Sequence, residues 1–195
     1  MNMNETMQTI LHRRSIRRFD EKQIEEDALQ EILQAGLYAP SAGGRQGVLF
    51  AVCQTKEINE RLGKIKRANS SPRMATTSNY VSREQPSIAD DSKLQNAFYD
   101  APTVITLFVP KNFLFSPEDC ALAAGNMMLA ADSLGIGSCW VNRAMELFDM
   151  PEGKALLRKW GLPETYRGVG NCILGYPDGD APAPKPRKEG WIVRP

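Results

Sequence analysis

The stretch SPEDCALAAGNMMLAADSL, from Ser116 to about Leu134, constrains the fold more than any other. Ala121, Leu122, Ala123, Ala124, Met127, Met128, Leu129, Ala130 and Ala131 leave few polar positions, so a helix here is apolar nearly all round and must be buried on most of its sides. Its start is well marked. Ser116 offers a capping hydroxyl, Pro117 suits the first turn, and Glu118 and Asp119 face the positive end of the helix dipole. So many small residues in a chain of 195 predict close packing against a second copy as well as against the chain's own sheet.

The other elements follow from periodicity. Met7, Ile10 and Leu11 give a short helix from Glu5 to about Arg13. A second helix spans Glu25 to Tyr38, where Ala28, Leu29, Ile32, Leu33, Gly36 and Leu37 form one stripe, and Pro40 stops it. Apolar runs from Gly47 to Gln54, Thr103 to Val109, Ile136 to Val141 and Arg167 to Gly175 read as strands, the first two as buried ones. Helices fill Lys56 to Lys66 and Glu152 to Trp160. Between Arg67 and about Gln95 no period persists, and Ser, Thr, Asn and Pro crowd the stretch. It reads as a lid or pocket wall, or else as a floppy insertion. Helix and strand alternate irregularly, which predicts an α+β fold in a single domain, 1–195, with helices flanking a sheet.

Composition excludes several classes of function. A net charge of +1 and a pI near 7.6 do not provide the bulk attraction for polyanions on which nucleic-acid binding depends. No run approaches the roughly twenty apolar residues of a membrane span, and the polar opening MNMNETMQT lacks a signal peptide's apolar region, so a cytoplasmic protein is expected. Cys53, Cys120, Cys139 and Cys172 are scattered without a CxxC pair, and His12 is the single histidine. No metal site is expected, and a nucleophilic pair has little to draw on, so chemistry falls to a cofactor.

Two N-terminal motifs offer a place for one. HRRSIRRFD, from His12 to Asp20, packs Arg13, Arg14, Arg17 and Arg18 into six residues with Ser15 among them. Clustered guanidiniums repel unless an anion sits between them, and their planar forks suit phosphate oxygens, though a solvated basic patch would look the same in sequence. APSAGGRQ, from Ala39 to Gln46, follows the second helix with a turn signal whose glycines let backbone approach a ligand while Ser41 and Gln46 present polar ends.

Taken in order, these motifs resemble the RRSxR and APSAxNxQPW segments of the nitroreductase family of FMN-dependent oxidoreductases. FYDAPTVITLFV from Phe98, AAGNMMLAADSLGIGSCW from Ala123, LGYP from Leu174, and Lys185 with Arg187 fall in the same family order. The resemblance implies a central, mostly antiparallel sheet flanked by helices, in an intertwined homodimer with FMN at the subunit interface. It also implies NAD(P)H as a transient electron donor. Neither Gly135 with Gly137 nor GVGNCILG makes a GxGxxG motif, so no separate nicotinamide domain is expected.

By position in the family motifs, Arg13 and Ser15 would hold the phosphate, Arg17 would reach the pyrimidine side of the ring, and Arg14 would add a contact. Lys185 and Arg187 match a K-x-R pair that approaches the phosphate; in composition alone they belong to a Pro-rich tail. Pro40, Ser41, Ala42 and Gln46 match the second motif, with Gly44 where the family has asparagine and Gly47 and Val48 in place of Pro-Trp. Asn96 would touch the pyrimidine edge. Trp140, Val141 and Asn142 would border the ring through their backbone, with an amide directed towards N5, while Trp140 also suits a plain core position. No side chain is expected to act as the catalyst. The expected activity is hydride transfer from NAD(P)H through FMN to a flat electrophile (a nitroaromatic, quinone or flavin) by alternate binding. The alternatives are dehalogenation or flavin fragmentation on the same fold, or a flavin-binding protein without turnover.

Overall fold

A computed structural model describes residues 3–70 and 84–194. In chain order the elements are α1 (Glu5–His12), α2 (Glu26–Leu37), a 3-10 turn (Ala42–Gly44), β1 (Leu49–Cys53), α3 (Lys56–Ala68), β2 (Thr103–Pro110), α4 (Ser116–Ser133), β3 (Gly137–Asn142), α5 (Ala144–Phe148), α6 (Pro151–Lys159) and β4 (Tyr166–Gly175). The four strands form one antiparallel sheet in the order β1-β2-β4-β3.

Helices cover both faces of this sheet, which explains the near-continuous apolar run of β2: an inner strand buried on both sides does not alternate. Ile105, Leu107 and Val109 point to one face, where Leu29 and Ile32 of α2 meet Ala123, Ala124, Met127 and Ala131 of α4. Val104 and Phe108 point to the other, against Leu62 of α3 and Ala144, Leu147 and Phe148 of α5. One polar pair lies inside. Thr106 Oγ1 donates to Asn171 Oδ1 at 2.8 Å, and Asn171 Nδ2 donates to the Val141 carbonyl, so the amide is satisfied on both ends.

Helix α4 is the spine, and its inner face is as apolar as expected. Its outer positions Ala121 and Leu122 are exposed, and Leu122 retains 48% of its surface. Its start differs from expectation: Phe115 occupies the capping position without a side-chain bond, while Ser116 Oγ donates backward to the Pro110 and Phe113 carbonyls. Strand β1 is shorter than its apolar run and half-exposed, because it forms the sheet edge rather than an inner strand. Helix α5, of five residues, carries too little periodicity to be read from sequence. All four cysteines are free and buried. Among the described residues no helix is long and apolar enough to cross a membrane.

Candidate functional site

After α1 the chain runs as an edge segment beside the sheet. Ser15 bridges Ser138 of β3, the Ile16 N–H donates to the Ser138 carbonyl at 2.9 Å, and Phe19 bridges Pro177. Ile16 is buried and its side chain lies over Gly137, so the alternate residues Arg13, Ser15 and Arg17 share the opposite side. All three act on the Cys139 thiol. Burial pushes that thiol above its ordinary pKa, and Arg17, Ser15 and Arg13 oppose the shift. Three residues expected at one ligand are thus gathered around one point.

Among the described residues their charge is uncompensated. Ion pairs of the described residues engage His12, Arg18, Lys22, Lys56, Lys64 and Arg143, and none engages Arg13 or Arg17. Two half-buried guanidiniums flanking a hydroxyl without a carboxylate are the donor set a phosphate requires, so the residues present fit that group. Arg14 is not part of the set. Its Nη1 donates to the Leu11 and Arg13 carbonyls, closing the end of α1, and its Nε is buried without a partner. Arg18 points to the surface and pairs with Asp178 at 3.0 Å.

The second motif forms its own enclosure. Gly43 and Gly44 both adopt φ of +63°, a left-handed conformation that glycine takes without strain. The Ser41 hydroxyl accepts the Gln46 N–H at 2.9 Å, and the Ala42 N–H donates to Asp119 Oδ1 at 2.9 Å. A cavity of about 520 Å³ opens beside the loop, lined by Tyr38, Pro40, Ser41, Gln46, Phe50 and Asp119 among others.

Within one chain the two motifs do not meet. His12 Nδ1 lies 3.0 Å from the Asp132 carboxylate near the last turn of α4, whereas Ala42 is tied to Asp119 in its first turn. Thirteen residues of helix separate those anchors by about 20 Å. The motifs also lie at opposite edges of the sheet, one on β3 and the other leading into β1, with the packed sheet between them.

The remaining expected residues divide. Val141 is buried, its carbonyl bonded to Asn171; Asn142 is exposed and accepts from Trp140 Nε1. Trp140 packs over Gly170 on the α2/α4 face, opposite Cys139 and Val141, which suits the core reading of that residue. Asn96 is buried, and its amide is engaged in its own turn: Nδ2 donates to Asp100 and Oδ1 accepts the Phe98 N–H. Lys185 and Arg187 lie on an exposed tail.

Two residues near these motifs went unrecognised in sequence. Gln85 is 1% exposed and bonded to Arg17, and Asp119, read as a helix-dipole acid, also anchors the second motif. Asp119 carried a signal, as an acid on the buried face of an apolar helix. Gln85, inside a polar stretch, carried none.

The profile of the nitroreductase family matches residues 10–176. A nitroreductase with bound FMN from Bacteroides fragilis is 35% identical and superimposes with a TM-score of 0.79 over 98% of this chain and 99% of its own. A nitroreductase with bound FMN from Desulfitobacterium hafniense DCB-2 is 25% identical, with a TM-score of 0.81 over the whole of both chains. The NADPH-flavin oxidoreductase of Vibrio harveyi is 29% identical over 195 residues, 98% of this chain and 73% of that one. With an antiparallel α+β sheet and a family match over most of its length, the chain belongs to the nitroreductase family.

Proposed function

We propose that this protein is an FMN-dependent NAD(P)H oxidoreductase that passes hydride to a flat electrophile, a nitroaromatic, quinone or flavin, by alternate binding of donor and acceptor. The observation that carries the reading is the pair of guanidiniums, Arg13 and Arg17, held around Ser15 with no carboxylate partner among the described residues. Bound FMN would supply the two-electron centre. Arg13 and Ser15 hold its phosphate, and Lys185 and Arg187 add charge from the tail. Arg17 places a cation near the pyrimidine side, where fixed positive charge favours the reduced, anionic ring.

Two copies complete the site. The roughly 20 Å between the motif anchors in one chain leaves each half of the site without its complement. A homodimer in which one copy contributes 13–17 and the other contributes 40–46 supplies both, and the exposed apolar positions of α4 offer a face for that contact. In this reading 1–195 acts as one FMN-binding unit; of the 67–95 stretch expected as a lid or pocket wall, 71–83 lies outside the described residues.

Gly44 supports a broad acceptor range. Its φ of +63° belongs to the region that glycine and asparagine share, so the exchange for the family's asparagine keeps the backbone path. A Cβ at Gly44 would meet nothing within 4 Å, so the missing side chain leaves open space at the loop.

Reconstitution with FMN tests the reading. The expected result is a bound-flavin spectrum that bleaches anaerobically with NADH or NADPH and recovers on adding a quinone. Absence of flavin binding overturns it. Binding without nicotinamide-driven bleaching leaves a flavin-binding protein instead of an enzyme.

A further inference from the structure

A buried polar side chain survives in a fold only where its hydrogen bonds are met, and the partners of Gln85 are unusually informative. Gln85 is 1% exposed. Its Oε1 accepts the Arg17 N–H, and its carbonyl accepts from Arg17 Nη1 at 3.2 Å. Its Nε2 donates to the Asp180 carbonyl at 3.1 Å. One residue therefore grips both the backbone and the guanidinium of Arg17, and also the root of the tail that carries Lys185 and Arg187.

The surrounding contacts point the same way. The Asp178 N–H donates to the Arg18 carbonyl, and the Asp20 N–H to the Tyr176 carbonyl, so the site segment and the start of the tail run side by side. The Arg17 guanidinium lies 5.9 Å from the centre of the Tyr99 ring, and the Tyr99 hydroxyl accepts the Ile88 N–H. The segment containing Gln85 thus sets both the carbonyl and the ring that orient Arg17. An amide suits this position because it presents an acceptor and a donor on one plane; glutamate would lack the donor and methionine both.

We propose that Gln85 is a positioning residue of the cofactor site, coupling Arg17 to the tail at Asp180 so that cations from both ends of the chain address one ligand. The proposal rests on the FMN reading above. Coupling of this kind is reciprocal: phosphate capture by Lys185 and Arg187 steadies Arg17, and Arg17 steadies the tail. Removing the amide loosens the link between the two, so the phosphate contributes less to binding and the cation near the ring is less well held.

The experiment uses full-length protein carrying Gln85→Met or Gln85→Glu. Dissociation constants are measured by flavin fluorescence for FMN and for riboflavin, which lacks the phosphate, together with the reduction potential of bound FMN and unfolding of the flavin-free protein. Gln85→Met is expected to weaken FMN about 10- to 100-fold, as loss of buried hydrogen bonds would, and riboflavin much less. In that background, Lys185→Ala with Arg187→Ala adds little further loss, whereas in the wild type the same pair weakens FMN clearly. Gln85→Glu also lowers the FMN-to-riboflavin preference, and it shifts the potential downward because its carboxylate offsets Arg17.

The preference ratio and the potential distinguish this role from a merely structural one, which would lower unfolding stability and weaken both flavins alike. Wild-type preference and potential in both variants, or additive losses in the combined variant, overturn the coupling alone. Failure of the wild-type protein to bind FMN overturns the functional reading and the coupling with it.

Discussion

The ammonium of Lys66 lies beneath the carbonyl of Arg143, donating to it at 3.1 Å, in a position where the lysine is only 5% exposed. Arg143 takes a left-handed φ of 65° between β3 and α5, so the contact pins a sharp backbone turn. Burial, with the Arg143 charge adding to it, lowers the Lys66 pKa from 10.5 to about 8.

That shift gives stability a pH dependence of known sign. Between pH 8 and 10.5 the unfolded chain holds the Lys66 proton more often than the folded one, so stability rises with pH across that window. Below it the burial penalty is present in full, about 3 kcal/mol. Lys66→Met removes the penalty and loses one hydrogen bond of about 1 kcal/mol, so the variant should be more stable at pH 7, with the advantage fading by pH 10.5. Urea unfolding of flavin-free protein across this range is the measurement; a difference that stays constant with pH would sink the account.

A site shared across a homodimer, as proposed, permits complementation. A chain with Arg13→Ala and Arg17→Ala loses one half of the site, and a chain with Ser41→Trp loses the other by filling the loop cavity. Each homodimer should be inactive. Unfolded and refolded together in equal amounts, they should recover about one quarter of wild-type activity, since half the dimers are mixed and each has one intact site of two. No recovery, with mixed dimers demonstrated by mass spectrometry, argues that the two motifs do not serve one site across the interface.

Close packing of Trp140 on Gly170 leaves no room for a side chain: a Cβ at Gly170 would stand 2.1 Å from Trp140 Cζ2. Gly170→Ala should displace the indole, lower stability by about 1–3 kcal/mol and shift Trp140 emission to longer wavelength. The emission is read in a Trp160→Phe, Trp191→Phe background, because the chain has three tryptophans. Unchanged emission and melting temperature would contradict the packing.

Asn59 joins three elements. Its Nδ2 donates at 3.1 Å to both the Cys53 carbonyl at the end of β1 and the Pro102 carbonyl just before β2, from a position on α3 that is 3% exposed. Two carbonyls fix the amide's orientation. Asn59→Leu should cost about 2–4 kcal/mol through the unpaired carbonyls it leaves. Asn59→Asp should cost more at neutral pH and partly recover on acidification, because only the protonated acid can donate. Denaturation midpoints at pH 7 and pH 5 compare the two, and equal losses at both values would refute the assignment.

Strong local signals survived into the structure, and non-local ones were invisible beforehand. β2 was legible because burial on both faces writes a continuous apolar run, and the α2 stripe because one face packs on α4. The basic cluster from Arg13 to Arg18 was legible as concentrated charge that calls for a counter-charge, whereas the choice of Arg13, Ser15 and Arg17 from it came from the resemblance to the family motif. Ser116 misled because a capping hydroxyl and one that bonds backward to Pro110 look alike in sequence. The contacts of Asn96 were not legible because the turn that engages its amide depends on Asp100 and on Gly63, whose missing side chain makes room for it. Gln85 was hidden because its partners lie 68 and 95 residues away.

Helix α4 is also a ruler. Because Asp119 fastens one motif and Asp132 the other, the span between them cannot change without displacing one of the two motifs. Inserting one residue would turn Asp132 by about 100° and carry it away from His12. Substitutions along this helix can be absorbed by repacking, but under the proposed dimer its length between the two aspartates is set by the need of two neighbouring molecules to present matching halves at the same height.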